Sequence, residues 1–214
     1  MPATRKRAPS KKSLLTKERI FNAAEISFSK QGFEGASLRD IAKLADVPVG
    51  LVRHHGGSKE DLFTQTVKRR ADQLATIRLR DLETLREQGS LTLSLILDCF
   101  FRAYVKLVSD EGESWFNYGR LVAHVSADPR WQQLAADCFD PTTHVFLEEI
   151  LKLYPEAELH KAATGQVYSV AALLAFFNST WRIESLGGQS SEASLDDLVK
   201  FCAAGMHALL SSNS

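Results

Sequence analysis

Arg53, His54 and His55 stand in succession at the end of a short acid-free segment, VGLVRHH, and Lys59 follows four residues later. Side chains of these types donate hydrogen bonds to oxyanions, and a guanidinium pairs bidentately with a phosphate or with the acceptor edge of a guanine. Val49, Gly50 and Leu51 add the small apolar groups that meet a thymine methyl. The chemistry offered is recognition of a polyanion in a groove. Two adjacent histidines point about 100° apart on a helix, and no third ligand lies near them in sequence, so the pair is not read as a metal site. A histidine donating to phosphate would strengthen binding as pH falls toward about 6.

Two short helices and a tight turn would position these groups. Ser37 caps a first helix with Leu38, Ile41, Ala42 and Ala45 on one apolar face, and Asp40 completes a capping-box-like start. Pro48 pushes Val47 out of the helical region but suits the first turn of a new helix, so the chain turns at about 46–48. The second helix, roughly 49–55, buries Val52 and leaves the donors outside. Helix, turn and outward donors are the pattern of a helix-turn-helix that reads DNA.

The net charge of zero conceals a division: residues 1–59 carry 12 Lys and Arg against 5 Asp and Glu, and residues 60–214 carry 14 against 21. Positive charge thus accompanies the reading unit, and phosphate would repel the remainder. A hydrophobic fraction of 44% in 214 residues supplies a folded core. Cys99, Cys138 and Cys202 are widely spaced and show neither zinc nor disulfide spacing, so no cofactor or metal is expected. The basic N-terminus lacks the apolar stretch of a signal peptide, and polar residues interrupt the longest uncharged run, 162–181. A cytoplasmic protein without membrane contact is expected.

The fold class expected is all-α. Residues 1–15, with Arg5, Lys6, Arg7, Lys11 and Lys12, read as a flexible basic arm. Thr16 is the expected cap of a first helix with Ile20, Ala23, Ala24 and Phe28 in one stripe and Gly32 just beyond its end. Ser58 and Asp61 open a long helix that nothing interrupts before Gly89. Further helices are expected over 91–108, 114–126, 129–153 with a break at Asp140-Pro141, 156–186 and 194–211. The resulting domains are a basic arm over 1–15, a helix-turn-helix domain over 16–59 and a larger helical domain over 60–214.

The segment from Thr16 to Phe63 resembles the DNA-binding domain of TetR-type bacterial regulators, and the helical remainder has the length of their ligand-binding and dimerisation domain. Gly32 and Phe33 fit that family's turn after its first helix, Ser37 and Arg39 the start of the second, and Gly50 the glycine of the recognition helix. Lys59 fits its phosphate-binding lysine. Pro48 stands where the family usually has a capping Ser or Thr, Arg53 where it has Tyr, and Gly56 where it has Phe. Gly56 and Gly57 therefore lead to the expectation of a loosened recognition helix. The DNA-contact set is Ser37, Arg39, Pro48, Val49, Gly50, Leu51, Arg53, His54, His55 and Lys59.

The resemblance implies a homodimer reading a palindromic double-stranded operator, most often as a repressor, and released by a small molecule. The aromatic-rich middle helices suggest an apolar pocket lined by Phe101, Tyr104, Trp115, Tyr118, Phe177 and Trp181, with Arg120, His124 or Asn178 orienting a hydrophobic or aromatic effector. The last two long helices are apolar over most of their circumference and supply the expected dimer contact, with Phe177 and Met206 as its test positions. No nucleophile–base spacing or phosphate loop points to an enzyme. A DNA-binding factor of the nucleoid-associated or protein-recruiting kind, without a ligand, is the alternative.

Overall fold

The computed structural model describes residues 10–189 and 193–211, all of the regular elements being helices. Arg5, Lys6 and Arg7 of the expected basic arm lie outside the described residues. The chain divides into two compact units, Met1–Val67 and Lys68–Ser214.

In the first unit, α1 (Lys11–Gly35) begins earlier than expected, because Ser10 and not Thr16 is its cap. The Ser10 hydroxyl accepts the Ser13 N–H at 3.2 Å, while the Thr16 hydroxyl donates back to the Lys12 carbonyl at 3.0 Å. Lys11 and Lys12 thus belong to a helix and not to an arm. Gly32, at φ 68° and ψ 178°, breaks the helical path where its end is expected. The turn after it directs Phe33 against Phe63, with ring centroids 5.4 Å apart. Two short helices follow, α2 (Leu38–Leu44) and α3 (Val49–Gly56). The long α4 (Lys59–Glu87) starts in this unit. Ile20, Ala24, Phe28, Ile41, Val52, Leu62 and Phe63 make its core, and Phe28 meets Phe63 edge-on at 5.0 Å.

The second unit takes the rest of α4 and then α5 (Leu93–Glu111), α6 (Glu113–Ala127), α7 (Gln132–Cys138), α8 (Asp140–Leu153), α9 (Leu159–Asn178), α10 (Thr180–Ser185) and α11 (Leu195–Ser211). A 3-10 turn at Pro129–Trp131 precedes α7. The expected break near Pro141 falls between α7 and α8, whereas the segment read as one helix over 156–186 is divided at Ser179. Neither Gly nor Pro marks that second division. Leu82, Ile96, Phe101, Trp115, Tyr118, Phe146, Leu173 and Met206 form the centre of the core. Gly165 lets α9 and α11 approach closely, since a Cβ there would lie 2.9 Å from the Met206 Cγ. Arg86 of α4 donates to the almost fully buried carboxylate of Glu149 on α8, at 2.5 Å and 3.1 Å, and Lys152 donates to the same oxygen at 2.7 Å. Among the described residues no helix is long and apolar enough to cross a membrane.

Candidate nucleic-acid interface and ligand cavity

Local sequence sets the frame of α2 and α3. The Ser37 hydroxyl accepts the Asp40 N–H at 3.1 Å and donates to its carboxylate at 2.5 Å, which fixes the start of α2. At the turn, Asp46 adopts φ 50°, an uncommon conformation for a residue with a side chain. Arg19 of α1 holds that turn: its Nη2 donates to the carbonyls of Ala45 and Asp46 at 2.5 and 3.0 Å and to the Asp46 carboxylate at 3.1 Å. Pro48 then caps α3. Val52 is completely buried, as the expected register requires, and Val49, Gly50, Leu51, Arg53 and His54 are exposed.

A shallow cleft of about 650 Å³ brings together Ser37 and Arg39 from α2, Val49, Gly50 and Arg53 from α3, and Lys59 from the head of α4. Pro48, Leu51, His54 and His55 lie outside its lining. Arg53 is exposed, and its guanidinium has no hydrogen-bond or ion-pair partner among the described residues. Lys59 is already engaged: its Nζ donates to the carbonyls of Ala36 at 3.2 Å and Glu34 at 3.4 Å and sits 4.5 Å from the Phe33 ring centre. It therefore ties α4 to the turn between α1 and α2. Burial lowers the pKa of His55, and the neighbouring His54 and Lys17 lower it further. The two imidazoles meet edge-on at 4.9 Å, and among the described residues no three His, Cys, Asp or Glu side chains gather as a metal site.

The glycines after α3 correct the expectation of a loosened helix. Gly56 is buried against α4, and a Cβ there would come within 2.6 Å of the Leu62 Cδ1 and 3.2 Å of its Cβ. The Gly56 carbonyl accepts the Gln65 amide at 3.1 Å, and Gly57 N–H donates to the Arg53 carbonyl at 2.9 Å. Gly57 has φ 78°, and a Cβ would meet Asp61 Oδ2 at 2.7 Å. Asp61 accepts the Ser58 N–H at 3.0 Å and its hydroxyl at 2.7 Å, completing the cap of α4. Close packing, not an aromatic side chain, ends the recognition helix.

The second unit contains a cavity of about 620 Å³ between α4, α5, α6, α7, α8 and α9. Small side chains line much of it, namely Ala71, Ala75, Gly119, Ala123, Ala127, Ala135 and Ala171, together with Leu74, Val122, Val170 and Leu174. Of the expected lining, Tyr104 and Tyr118 face it. Phe101 and Trp115 are completely buried in the core instead. Phe177 packs on Tyr104 and Phe116, Arg120 sits over the Phe116 ring, and Trp181 is exposed; with His124 and Asn178 these lie outside the lining. Sequence spacing gave no sign of Arg78 and Gln166, which do face the cavity. Arg78 Nε donates to the Phe100 carbonyl at 2.9 Å, and its guanidinium lies 3.5 Å from the Phe100 ring centre. Burial pushes the Arg78 pKa down to about 10, against the opposing pull of Tyr118, Cys99 and Tyr104. Burial likewise pushes the Cys138 thiol in the wall up to about 11.

The proposed dimer helices are only partly outward. Met206 is 2% exposed and packs inside the unit, so it is not available to a second copy. Tyr168 and Phe201 are instead 66% and 73% exposed.

Comparison with known proteins agrees with this architecture. The profile described as "Bacterial regulatory proteins, tetR family" matches residues 20–66, and that of the "Tetracyclin repressor-like, C-terminal domain" matches residues 98–205. No curated protein matches the chain. Among solved structures, a TetR-family transcriptional regulator from Mesorhizobium loti is 20% identical, with 94% of this chain and 98% of that one aligned at a TM-score of 0.53. A transcriptional regulator from Rhodococcus sp. Rha1 is 18% identical over 90% and 96% of the two chains, at a TM-score of 0.59. The multidrug binding protein EbrR, solved with malachite green, is 16% identical over 90% and 96%, at 0.55. At these identities the structures share the fold, while the two profiles together cover both units. The chain belongs to the tetR family of bacterial regulatory proteins, as a transcriptional regulator with a helix-turn-helix DNA-binding domain and not an enzyme.

Proposed function

We propose that this regulator is a homodimeric repressor that seats its two α3 helices in successive major grooves of a palindromic operator and leaves it when a small hydrophobic molecule fills the cavity. The observation that carries the DNA half is the unpartnered, exposed Arg53 beside Arg39, Val49 and Gly50 in one cleft. Exposed Leu51 and Val49 suit thymine methyl contact, and Arg53 suits a guanine edge or a phosphate. The observation that supports the effector half is the cavity, whose walls are mainly apolar. EbrR, a neighbour of the same fold, is a multidrug binding protein, which agrees with a ligand in the second unit.

Selection of binding sites from a random double-stranded pool by the full-length protein tests the reading. An inverted repeat with half-sites one or more helical turns apart is expected. Arg53→Ala should weaken binding to the selected site by about tenfold or more, corresponding to the loss of one specific contact. Scattered weak sites without two-fold symmetry would favour a nucleoid-associated or protein-recruiting factor. Retained affinity in Arg53→Ala at fixed salt would remove α3 as the reading helix.

A further inference from the structure

The cavity wall holds two polar groups that the rest of the protein leaves unserved. Gln166 on α9 is 2% exposed, and neither its amide nitrogen nor its amide oxygen has a hydrogen-bond partner. A buried amide in that state is costly unless something else completes it. Arg78 on α4 is anchored through Nε to the Phe100 carbonyl and laid over the Phe100 ring, which fixes the direction of its guanidinium. Its two terminal nitrogens have no partner among the described residues, and no carboxylate forms an ion pair with it there. Asp140, the acid of the cavity lining, is exposed and does not perturb Arg78.

We propose that the cavity takes an organic acid with an apolar body, its carboxylate held by the terminal nitrogens of Arg78 and by the Gln166 amide. This rests on the cavity's being the effector site. A carboxylate accepts two parallel N–H bonds from a guanidinium and leaves lone pairs for the Gln166 amide N–H, the donor half of that amide's deficit. The apolar body lies along Leu74, Val122, Val170 and Leu174. Desolvation lowers the Arg78 pKa to about 10, which still leaves it cationic at neutral pH, and an anionic ligand supplies the ion pair that Asp140 does not make with it. A ligand carrying a quaternary ammonium would meet a fixed positive charge of the same sign. The ligand class follows from this chain's own arginine, not from the dye bound by EbrR.

Calorimetric titration of the full-length protein with decanoate, decanol and decyltrimethylammonium, each below its aggregation threshold, tests the proposal. Decanoate should bind about tenfold or more tighter than either of the others. Arg78→Met should lose that advantage while binding decanol as wild type does, and Gln166→Leu should lose a smaller part of it. Val170→Trp, which fills the cavity, should abolish binding of all three. Should Arg78→Met fail to fold, the comparison of the three probes on wild type decides alone. Binding that ignores the charge of the probe overturns the acid proposal and leaves the effector site standing. Absence of binding by all three probes, or binding that survives Val170→Trp, overturns the effector-site reading itself.

Discussion

At the scale of single residues, the caps and turns that frame the helix-turn-helix were legible and their distant supports were not. Ser37, Gly32 and Pro48 announce themselves because capping, positive φ and the proline ring act within three or four residues. Arg19 does not, since its carbonyl partners lie 26 and 27 residues away and no spacing rule links them. Gly56 shows the same limit in reverse: glycine in sequence suggests freedom, whereas its position against Leu62 leaves no room for a Cβ. Gly56→Ala is therefore expected to destabilise the first unit by about 1–3 kcal/mol through overpacking, and Gly57→Ala by a similar amount, about 1–3 kcal/mol, because φ 78° with ψ −137° strains any residue with a Cβ. Thermal melts of the two variants check this, and unchanged midpoints would restore the picture of a loose helix end. His55 makes a pH prediction. Burial, His54 and Lys17 depress its folded pKa below the ordinary histidine value of 6.5. The unfolded chain thus takes up the proton first, so the contribution is intact above pH 6.5 and is lost as pH falls through the folded pKa. Wild type should lose more stability than His55→Gln between pH 7 and pH 5, and parallel curves for the two would deny the shift.

Elements show why the boundaries were only partly readable. The turn residues at Asp140-Pro141 and Gly89 stop helices locally, and both fall at observed ends. The interruption at Ser179 has no Gly or Pro, only the short polar run Asn178-Ser179-Thr180, a weaker signal that favours caps over helix interiors. The cavity was equally hidden, because aromatic residues at helical spacing, such as Phe101 and Trp115, fill the core. Space arises where alanines and a glycine from several helices face one another and leave volume unfilled. At the far end of α4, Arg86 and Lys152 converge on Glu149, whose carboxylate is only 4% exposed. Burial alone would raise the Glu149 pKa, yet the bonds from Lys152 and Arg86 outweigh it and hold the carboxyl below its usual range. Glu149→Gln takes the anion from Lys152 and leaves Arg86 with Glu83 alone, and is expected to cost about 1–2 kcal/mol at neutral pH, the exposed cations being solvated. The native state binds this proton less readily than the unfolded chain, so the benefit holds above about pH 4.3, the ordinary glutamate value, and fades as pH falls through the folded pKa. Urea unfolding at pH 7 and pH 4 measures this; an equal deficit at both would show that packing, not charge, is responsible.

For the whole molecule, the charge division and the proposed palindromic operator point to the same assembly. The proposed palindrome would span two half-sites, one for each basic N-terminal unit of the proposed dimer. For the proposed dimer, the last two long helices still supply the candidate face, but Met206 is buried and is not part of it. Along α9, Tyr168, Ala171 and Ala175 are exposed at spacings of three and four, and along α11 so are Phe201, Ala204, Gly205 and Ala208. Small residues between two large aromatic ones permit close helix approach with Tyr168 and Phe201 as anchors, and faces of this kind are more often interfaces than free surface. Phe201→Glu should convert a dimer to a monomer in sedimentation equilibrium while the circular dichroism of each chain is retained. Met206→Glu should instead unfold the second unit, because it buries a charge beside Gly165 and α9. The two variants separate assembly from folding. Phe201→Glu should also lower operator affinity about tenfold or more, since each head then binds its half-site without the effective concentration that its partner supplies. A wild-type monomer at micromolar concentration, or a Phe201→Glu protein that still sediments as a dimer, would place the two-fold contact on another face.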